Sequence, residues 1–341
     1  MNAMLLTRIV SLADTDAPLE LAELPVPVRG ENELLLRVST CGVCHTELDE
    51  IEGRTPPPSL PVVPGHQVVG RVVEAGAASP FRDGDRVGVA WIFAACGACS
   101  HCREGQENLC PHFRATGRDA NGGYAEYLTV PEAFAHRIPD AFTDAEAAPL
   151  LCAGAIGYRS LRLTGLTTTG RLGLTGFGAS AHLVLKMVRH HYPALEVFVF
   201  ARSGEEREFA RQLGAAWAGD TAEEAPARLG AIIDTTPAWT PVVHALRNLE
   251  PGGRLVINAI RKEEGDKAAL LGLDYPAHLW QEREVKSVAN VTRADVAGFL
   301  ALAAEVPLRP EVCEYPLAEA NRALVELKRG NIRGAKVLRV E

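Results

Sequence analysis

The sequence lacks three features that would place the chain in a membrane, on a nucleic acid or outside the cell. No apolar run reaches the roughly 18–20 residues that a membrane-spanning helix needs. Its 35 Lys and Arg residues are interspersed with 43 Asp and Glu, giving a net charge of −8, which argues against a polyanionic partner. No basic segment precedes the short apolar stretch at the start, so a signal peptide is not expected. We therefore expect a cytoplasmic protein with neither a membrane nor a nucleic-acid partner.

Composition is otherwise that of a globular protein, with 47% apolar and 23% charged residues. The 341 residues are ample for two domains of ordinary size. Cysteine is concentrated, because four of the eight cysteines fall within residues 96–110. Cytoplasmic thiols stay reduced, so crowded cysteines indicate a metal site or catalysis rather than disulfides.

The crowded cysteines have the spacing C-x2-C-x2-C-x7-C and are Cys96, Cys99, Cys102 and Cys110. Four thiolates satisfy the tetrahedral preference of zinc and leave no open position, so the pattern predicts a structural zinc site in a lobe of about residues 94–112. An iron–sulfur cluster is one alternative, although its usual spacing brings the last ligand sooner. A loop without any metal is the other.

Three more residues of metal-binding type are scattered along the chain. Cys44 lies in CGVCHTELD, His66 in VPGHQVVG and Cys152 in APLLCAGAIGY. Two cysteines and one histidine form a known catalytic zinc arrangement with one open position. Each residue alone is weak evidence, because a buried cysteine is usually a small core residue. Their spacing therefore gives only a hypothesis of a second metal site.

From Gly170 onward the sequence alternates between buried strands and helices. This alternation predicts a doubly wound parallel sheet of the Rossmann type. The motif GFGASA (176–181) lies between the first strand and its helix, which is the context of a dinucleotide phosphate site. Strands are predicted at 171–175, 196–200, 231–236 and 254–258, and helices up to about 191, at 205–214 and near 240–249.

The glycine motif predicts how the dinucleotide is held. Gly176 allows a tight turn, and Gly178 lets the backbone approach the pyrophosphate. The third glycine of the pattern is replaced by Ala181. The residues that we assign to cofactor binding are Gly176, Phe177, Gly178, Ala179, Ser180, Arg202, Ser203, Thr235 and Asn258.

The end of the second predicted strand favours NADP over NAD. An acidic residue usually binds the ribose hydroxyls of NAD at this place. This chain has Ala201, Arg202 and Ser203 there, and a guanidinium can pair with a 2′-phosphate. The alternative is a solvated Arg202, with Glu205 or Glu206 reaching the ribose.

Together these motifs resemble the zinc-dependent medium-chain alcohol dehydrogenases. The stretches that carry the resemblance are CGVCHTELD, PGHQVVGRVVEAG, the four-cysteine loop, LLCAGAIGY and GFGASA, in the order of that family. The resemblance covers essentially the whole chain. It implies two zinc ions per subunit, one catalytic and one structural, together with NADP or NAD.

Carried over by position, the resemblance assigns roles to individual residues. Cys44, His66 and Cys152 match the catalytic zinc ligands, and the four crowded cysteines match the structural ligands. Thr46 matches the hydroxyl residue that bonds the substrate oxygen and takes its proton. Trp91 matches a bulky residue of the substrate pocket.

Three departures from the family pattern lie near the catalytic metal. Gln67 stands where the family usually has Glu, and Glu47 stands where Asp is frequent and still orients the histidine ligand. Asp49 replaces a histidine at the outer end of a proton relay. Its reference pKa of about 3.9 is far below the value of about 6.5 for His. The relay is therefore expected to use ribose hydroxyls, His45 and water.

The predicted fold class is α/β, with a Rossmann sheet joined to a β-rich, GroES-like barrel domain. The expected domains are 1–153 with 291–341 for catalysis and 154–290 for the dinucleotide. The family also implies a homodimer or homotetramer.

The predicted function is reversible hydride transfer between a nicotinamide cofactor and a medium-chain or aromatic primary alcohol or its aldehyde. Cys152 supports this substrate class, because related polyol dehydrogenases often carry Glu there. The alternatives are a zinc-independent quinone or enone reductase of the same superfamily and a non-catalytic dinucleotide-binding zinc protein.

Overall fold

The computed structural model describes residues 1–306, 308–330 and 334–340, and their contacts divide the chain into two compact units. The first unit comprises Met1–Ala155 and the described residues from Asn290 onward. The second unit comprises Ile156–Ala289. Across these described ranges, every helix is too short or too polar to cross a membrane.

The strands are β1 (Asn2–Leu5), β2 (Glu20–Glu23), β3 (Glu33–Val43), β4 (Val68–Glu74), β5 (Arg86–Val89), β6 (Ile92–Ala94), β7 (Arg114–Ala115), β8 (Tyr127–Pro131), β9 (Ala135–Arg137), β10 (Gly170–Thr175), β11 (Leu195–Phe200), β12 (Trp217–Gly219), β13 (Leu229–Asp234), β14 (Leu249–Ile257), β15 (Glu284–Ser287), β16 (Val312–Pro316) and β17 (Ala335–Arg339).

The helices are α1 (His45–Ile51), α2 (Ser100–Arg103), α3 (Asp144–Pro149), α4 (Ala155–Thr164), α5 (Ala179–His191), α6 (Gly204–Gln212), α7 (Thr240–Asn248), α8 (Tyr275–His278), α9 (Arg293–Glu305) and α10 (Ala320–Lys328). A π-helical turn, Leu150–Gly154, joins α3 to α4.

The first unit is built around β3, the longest strand. A seven-stranded sheet has the order β16-β17-β3-β4-β5-β9, and β8 also pairs with β3. All pairings except β16 with β17 are antiparallel. Alternate residues of β3 pack into the core, and Leu34, Leu36 and Val38 are fully buried. Each such side chain contributes about 1.5–3 kcal/mol by leaving water, so β3 is a firm support for the segments that follow it.

The second unit contains six parallel strands in the order β12-β11-β10-β13-β14-β15. Parallel neighbours need crossover connections, and α5, α6 and α7 supply three of them. The apolar side of α7 packs with β11, β13 and β14 in a core that includes Phe198, Ile232 and Leu246. The predicted doubly wound sheet is confirmed, as is the α/β class with a β-rich partner.

Candidate active site and metal centres

The four-cysteine site (Cys96, Cys99, Cys102 and Cys110) is assembled by one loop. The four Sγ atoms all lie within 4.8 Å of one another. Backbone N–H groups of the same loop donate to the sulfurs, as Cys99 N does to Cys96 Sγ at 3.4 Å and Cys102 N to Cys99 Sγ at 3.5 Å. Gly97 has a φ of 70°, which glycine adopts without strain. The loop therefore turns tightly enough to surround a small ion.

Electrostatics explains why this loop fits a cation. Backbone N–H donors of Ala98 and Cys99 lower the pKa of the Cys96 thiol to about 6. Burial, followed by the neighbouring thiol of Cys99, raises the pKa of Cys102 to about 12. Without a cation, the sulfurs therefore resist ionising together. Thiolates that coordinate a divalent ion lose that conflict, and four of them suit zinc.

The Cys2His site (Cys44, His66 and Cys152) joins residues that are far apart in sequence. One ligand atom from each of the three residues lies within 4.8 Å of the other two. Cys44 Sγ is 3.7 Å from His66 Nε2. Cys44 immediately follows β3 and is the N-cap of α1, where its sulfur accepts from Thr46 N at 3.3 Å. The strand end therefore fixes both the sulfur and the start of the helix.

Glu47 holds two ligands of the Cys2His site at once. Its Oε1 lies 2.5 Å from His66 Nδ1, and its Oε2 accepts from Cys44 N at 2.8 Å. Both Glu47 and His66 are almost fully buried. Burial would lower the pKa of His66, but the charges of Glu47 and Cys44 outweigh it and raise that pKa well above its usual value. The carboxylate leaves Nε2 facing the cysteines, as a metal ligand requires.

Two glycines, one directly before His66 and one on β3, leave the space that the histidine segment needs. Gly65 has a φ of 96°, and a Cβ there would lie 2.3 Å from the Tyr124 ring. On β3, a Cβ at Gly42 would lie 2.6 Å from Gln67 Oε1. The segment that carries His66 can therefore approach β3 only because these side chains are absent.

Cys152 lies in the π-helical turn Leu150–Gly154. Pro149 precedes the turn and cannot donate a helical hydrogen bond, and Gly154 gives space to the Phe299 ring, which a Cβ would approach to 2.1 Å. π-Helical turns are frequent at functional sites because they shift side chains out of regular helical register. Here the irregular turn brings Cys152 to the other two ligands.

The remaining predicted residues of α1 differ in their surroundings. Thr46 is half-buried, whereas His45 is exposed. Asp49 is buried and forms an ion pair with Arg54 Nε. That guanidinium also pairs with Glu52, which in turn bonds Lys328 at 2.8 Å. Asp49 is thus part of an ion-pair network, and a proton reaching it would have to weaken that network.

Two other predicted residues have polar atoms without a hydrogen-bond partner in the described parts of the chain. Trp91 packs on Phe113 with ring centroids 5.5 Å apart, and its indole N–H is buried and unpaired. Gln67 is 3% exposed, and its Nε2 is likewise unpaired. Sequence reasoning did not single out Glu50, although both of its buried oxygens share this condition.

The glycine motif of the second unit adopts the geometry that the sequence predicts. Gly176 has a φ of 77°, and a Cβ there would lie 2.8 Å from Thr235 Oγ1. Gly178 caps α5, and a Cβ at that position would meet nothing within 4 Å. The side chain of Asn258 donates to Ser180 Oγ at 3.4 Å. The open surface above Gly178 and the free N–H groups of α5 fit a dinucleotide phosphate.

The residues after β11 separate into structural and accessible groups. Ser203 caps α6, accepting from Glu205 N at 3.2 Å and Glu206 N at 3.4 Å. Arg207 donates to Ala201 O at 2.7 Å and to Arg202 O at 2.9 Å. Arg202 itself is exposed. The strand end is therefore held by Arg207, and Arg202 projects to solvent.

Sequence reasoning also missed a buried ion pair at the end of β13. Lys262 Nζ contacts Asp234, which is fully buried, and donates to Thr236 O at 2.7 Å and Ala238 O at 3.0 Å. No local pattern marks the pair, because its partners come from separate loops. It fixes the segment that carries Thr235, a predicted cofactor residue.

Comparison with known proteins gives the family. The model of the alcohol dehydrogenase GroES-like domain matches residues 30–140. A Mycobacterium tuberculosis (strain CDC 1551 / Oshkosh) protein named Probable alcohol dehydrogenase AdhA is 46% identical over 327 residues, which cover 94% of this chain and 92% of that protein. The chain belongs to the zinc-type medium-chain alcohol dehydrogenase family. The four-cysteine site and the Cys2His site agree with this family, and their sulfur and nitrogen donor atoms fit zinc.

Other relatives of this alcohol dehydrogenase family cover the same length. A Geobacillus stearothermophilus protein named Alcohol dehydrogenase is 33% identical over 337 residues, covering 95% of this chain and 96% of that protein. The solved structure of the cinnamyl alcohol dehydrogenase SbCAD4 from Sorghum bicolor has a TM-score of 0.83 and 26% identity, covering 99% of this chain and 97% of that one. Membership of the family makes the chain an oxidoreductase with a small-molecule substrate.

Proposed function

We propose that this chain is a zinc-dependent alcohol dehydrogenase that transfers hydride reversibly between a primary alcohol, or its aldehyde, and NADP. The convergence of Cys44, His66 and Cys152 within 4.8 Å carries the proposal, because two thiolates and one imidazole hold zinc and leave one position open. Zinc bound there supplies Lewis acidity toward an alcohol or carbonyl oxygen, and the nicotinamide exchanges the hydride.

Glu47 prepares the protein for this chemistry. By accepting from His66 Nδ1 it selects the tautomer whose Nε2 is free to bind metal, and through Cys44 N it fixes the position of the first thiolate. Such partners of metal ligands typically contribute 10–100-fold, roughly, in metal affinity or activity.

Thr46 is the residue that we assign to the substrate hydroxyl. It lies two residues from Cys44 on α1, and its half-buried side chain can receive a hydrogen bond and pass a proton onward. We assign Asp49 to the ion-pair network with Arg54 rather than to proton transfer. The exposed His45 can serve the outermost proton step, in exchange with water.

Arg202 supports the choice of NADP. Its guanidinium is exposed at the carboxyl end of β11, where adenosine ribose is bound in dinucleotide folds, and no carboxylate occupies that strand end. A charge-assisted hydrogen bond to a 2′-phosphate contributes about 1.5–3 kcal/mol.

Aromatic side chains of the first unit support the proposed substrate class. The Trp91 and Phe113 rings form an aromatic wall in the first unit, which suits aromatic or medium-chain alcohols. The Sorghum bicolor structure is that of a cinnamyl alcohol dehydrogenase, in keeping with an aromatic substrate.

We further propose that the first unit carries the chemistry and that the second binds the dinucleotide. The four-cysteine site has a structural role, because its four thiolates fill the tetrahedral coordination of zinc. We also propose a cytoplasmic homodimer or homotetramer, which light scattering on the zinc-loaded protein tests.

The two rival functions make different predictions. A zinc-independent quinone or enone reductase would not need the four ligands of the four-cysteine site or the three ligands of the Cys2His site. A non-catalytic zinc protein would bind NADP but turn over no alcohol or aldehyde.

The deciding experiment measures NADP-linked and NAD-linked turnover of zinc-loaded protein with aliphatic and aromatic primary alcohols and aldehydes, and with quinones. Turnover of the primary alcohols and aldehydes supports the proposal. Its absence at full zinc occupancy would overturn it.

The cofactor choice has its own test in Arg202→Ala. We expect kcat/KM for NADP to fall by about 10–100-fold, which corresponds to the loss of one charge-assisted hydrogen bond. The kcat/KM for NAD should hardly change in Arg202→Ala. Arg228→Ala is the matched control. Arg228 is exposed directly before β13, so it lies at the amino ends of the parallel strands, whereas Arg202 lies at their carboxyl ends. Equal losses in the two variants, or no loss in either, would contradict an NADP site at Arg202.

A further inference from the structure

Glu50 is a buried carboxylate with no partner that explains its burial. The residue is 1% exposed, and neither carboxylate oxygen has a hydrogen-bond partner among the described residues. An unpaired buried charge is costly, and native proteins retain such groups mainly where they act. The proposed dehydrogenase steps described above give Glu50 no task.

The neighbours of Glu50 place it beside the Cys2His site. Burial raises the pKa of the Glu50 carboxyl well above its usual value, and the charge of Glu47 adds to that rise. His66, the Trp91 indole N–H and Arg118 act in the opposite direction. Burial is the main cause that raises the pKa of the Tyr124 phenol, and the charge of Glu50 makes a small further contribution. A carboxyl whose pKa is raised in this way holds a proton more readily than an exposed glutamate, so it can both accept a proton and return it.

Position on α1 connects Glu50 to the substrate-binding hydroxyl. Thr46 and Glu50 are four residues apart on this helix, so they lie on the same face one turn apart. The Trp91 N–H is near enough to influence the carboxylate, yet it completes no hydrogen bond. One donor, one hydroxyl and two acceptor oxygens are the kind of polar set that holds a buried water.

Neighbouring acids on α1 are already committed elsewhere. Asp49 pairs with Arg54. Glu52 pairs with Arg54 and Lys328, and it accepts from Leu12 N at 3.2 Å. Glu50 is therefore the acid of this helix with free acceptor capacity inside the protein.

We propose that Glu50 is the internal proton acceptor of the dehydrogenase, reached from Thr46 through one bridging water that the Trp91 N–H orients. The inference rests on the proposed function. In alcohol oxidation the substrate O–H bond breaks and its proton goes to Thr46 Oγ1. The Thr46 proton passes to the water, and a water proton goes to a Glu50 oxygen. The electron pair of the C–H bond leaves as hydride and reduces the nicotinamide, and the alcohol becomes an aldehyde. Aldehyde reduction runs the same transfers backwards.

The test compares Glu50→Gln with Glu52→Gln, which neutralises a fully partnered acid two residues away. We expect Glu50→Gln to lower kcat by about 10²–10⁴-fold, the usual contribution of general acid–base catalysis. KM and zinc content should be retained. Alcohol oxidation by the wild type should rise with pH as Glu50 loses its proton, and this limb should vanish in Glu50→Gln. Glu52→Gln should keep both the rate and the limb.

Infrared titration of the zinc-loaded protein without substrate gives a readout that is independent of turnover. We expect a carboxyl band that titrates above the ordinary glutamate pKa of about 4.3, present in the wild type and in Glu52→Gln but missing in Glu50→Gln. Burial also raises the pKa of Asp234, and its band should remain in all three proteins. Unchanged kcat and pH profile in Glu50→Gln would overturn the inference while leaving the dehydrogenase function standing. A wild type that turns over no alcohol would instead overturn the function.

Trp91→Phe covers the case in which Glu50→Gln does not fold. This change keeps the aromatic ring and removes the N–H that stabilises the carboxylate. We expect the pH limb of alcohol oxidation to move to higher pH and kcat to fall by less than in Glu50→Gln. An unmoved limb in Trp91→Phe would overturn the role of Glu50.

Discussion

The four-cysteine site and the Cys2His site use the same kind of ligand but depend on the fold in opposite ways. The first is drawn from one loop whose own backbone N–H groups bond the sulfurs. The second needs the end of β3, the segment before β4 and the π-helical turn to be in place. A local site can stabilise its loop, whereas a site made by distant elements presents its ligands only after the unit has folded. This contrast predicts that losing the four-cysteine site lowers the stability of the protein, whereas losing the Cys2His site removes its activity.

The largest expected effect is that of Cys44→Ser on activity. Serine keeps an N-cap acceptor for Thr46 N but is a poor zinc ligand. We expect kcat/KM to fall by about 10³-fold or more, because the metal supplies several kcal/mol to the reaction. Zinc analysis should give one ion per chain instead of two, with a melting temperature near that of the wild type. Unfolding of Cys44→Ser would break the contrast.

Cys99→Ser is the matched change in the other site, since Cys99 also caps a short helix through its sulfur. Structural zinc contributes folding free energy directly, so we expect the melting temperature to fall by about 5 °C or more. Activity per folded molecule should be retained at low temperature. A stable Cys99→Ser protein with one zinc ion would show that the loop does not need its metal.

We expect the stability of the first unit to depend on pH through His136, which lies on β9. Arg293 donates to Glu107 of the lobe at 3.0 Å, and burial, helped by the charge of Arg293, lowers the pKa of His136 to about 4. Between about pH 4 and 6.5 the unfolded chain binds a proton at His136 that the folded protein does not. The free energy of unfolding should therefore rise with pH across this window, by at most about 3 kcal/mol.

His136→Leu tests the assignment of that window. Denaturant unfolding measured from pH 4 to pH 7 should show a flatter dependence in the variant than in the wild type. An equal slope in the two proteins would assign the window to other groups.

The smallest expected effect is that of Glu47→Gln. An amide at this position can still contact His66, but it loses the charge that orients both His66 and Cys44. We expect about 10–100-fold weaker zinc binding at the Cys2His site, measured by chelator competition. The four-cysteine site should keep its affinity. Equal weakening at both sites would mean that Glu47 acts through general stability.

Local patterns predicted some parts of the molecule well. Most of the strands and helices predicted for the second unit lie within about two residues of the observed ones, because a buried strand or a helix shows its pattern in consecutive residues. The exception is β14, which begins at Leu249 rather than at residue 254, and the short strands β12 and β15 were not predicted. The four-cysteine site was visible for the same reason. The glycine turn at Gly176 follows from its position between strand and helix.

Long-range features could not be derived from local patterns. The pairing of β3 with β4, β8 and β17 joins distant segments, and no local sequence pattern specifies it. Cys44, His66 and Cys152 could be connected only through the family resemblance, since no spacing rule joins them. The ion pair of Asp49 with Arg54 and the unpaired oxygens of Glu50 depend on side-chain packing, and neighbouring residues gave no signal for either.

Anomalous diffraction at the zinc edge tests the central claim most directly. The division into two sites predicts two ions per chain. One should lie about 2.3 Å from the sulfurs of the four-cysteine site, and the other should lie about 2.3 Å from Cys44 and Cys152 and about 2.0–2.1 Å from His66 Nε2. A fully zinc-loaded, active protein with an ion only in the four-cysteine loop would contradict it.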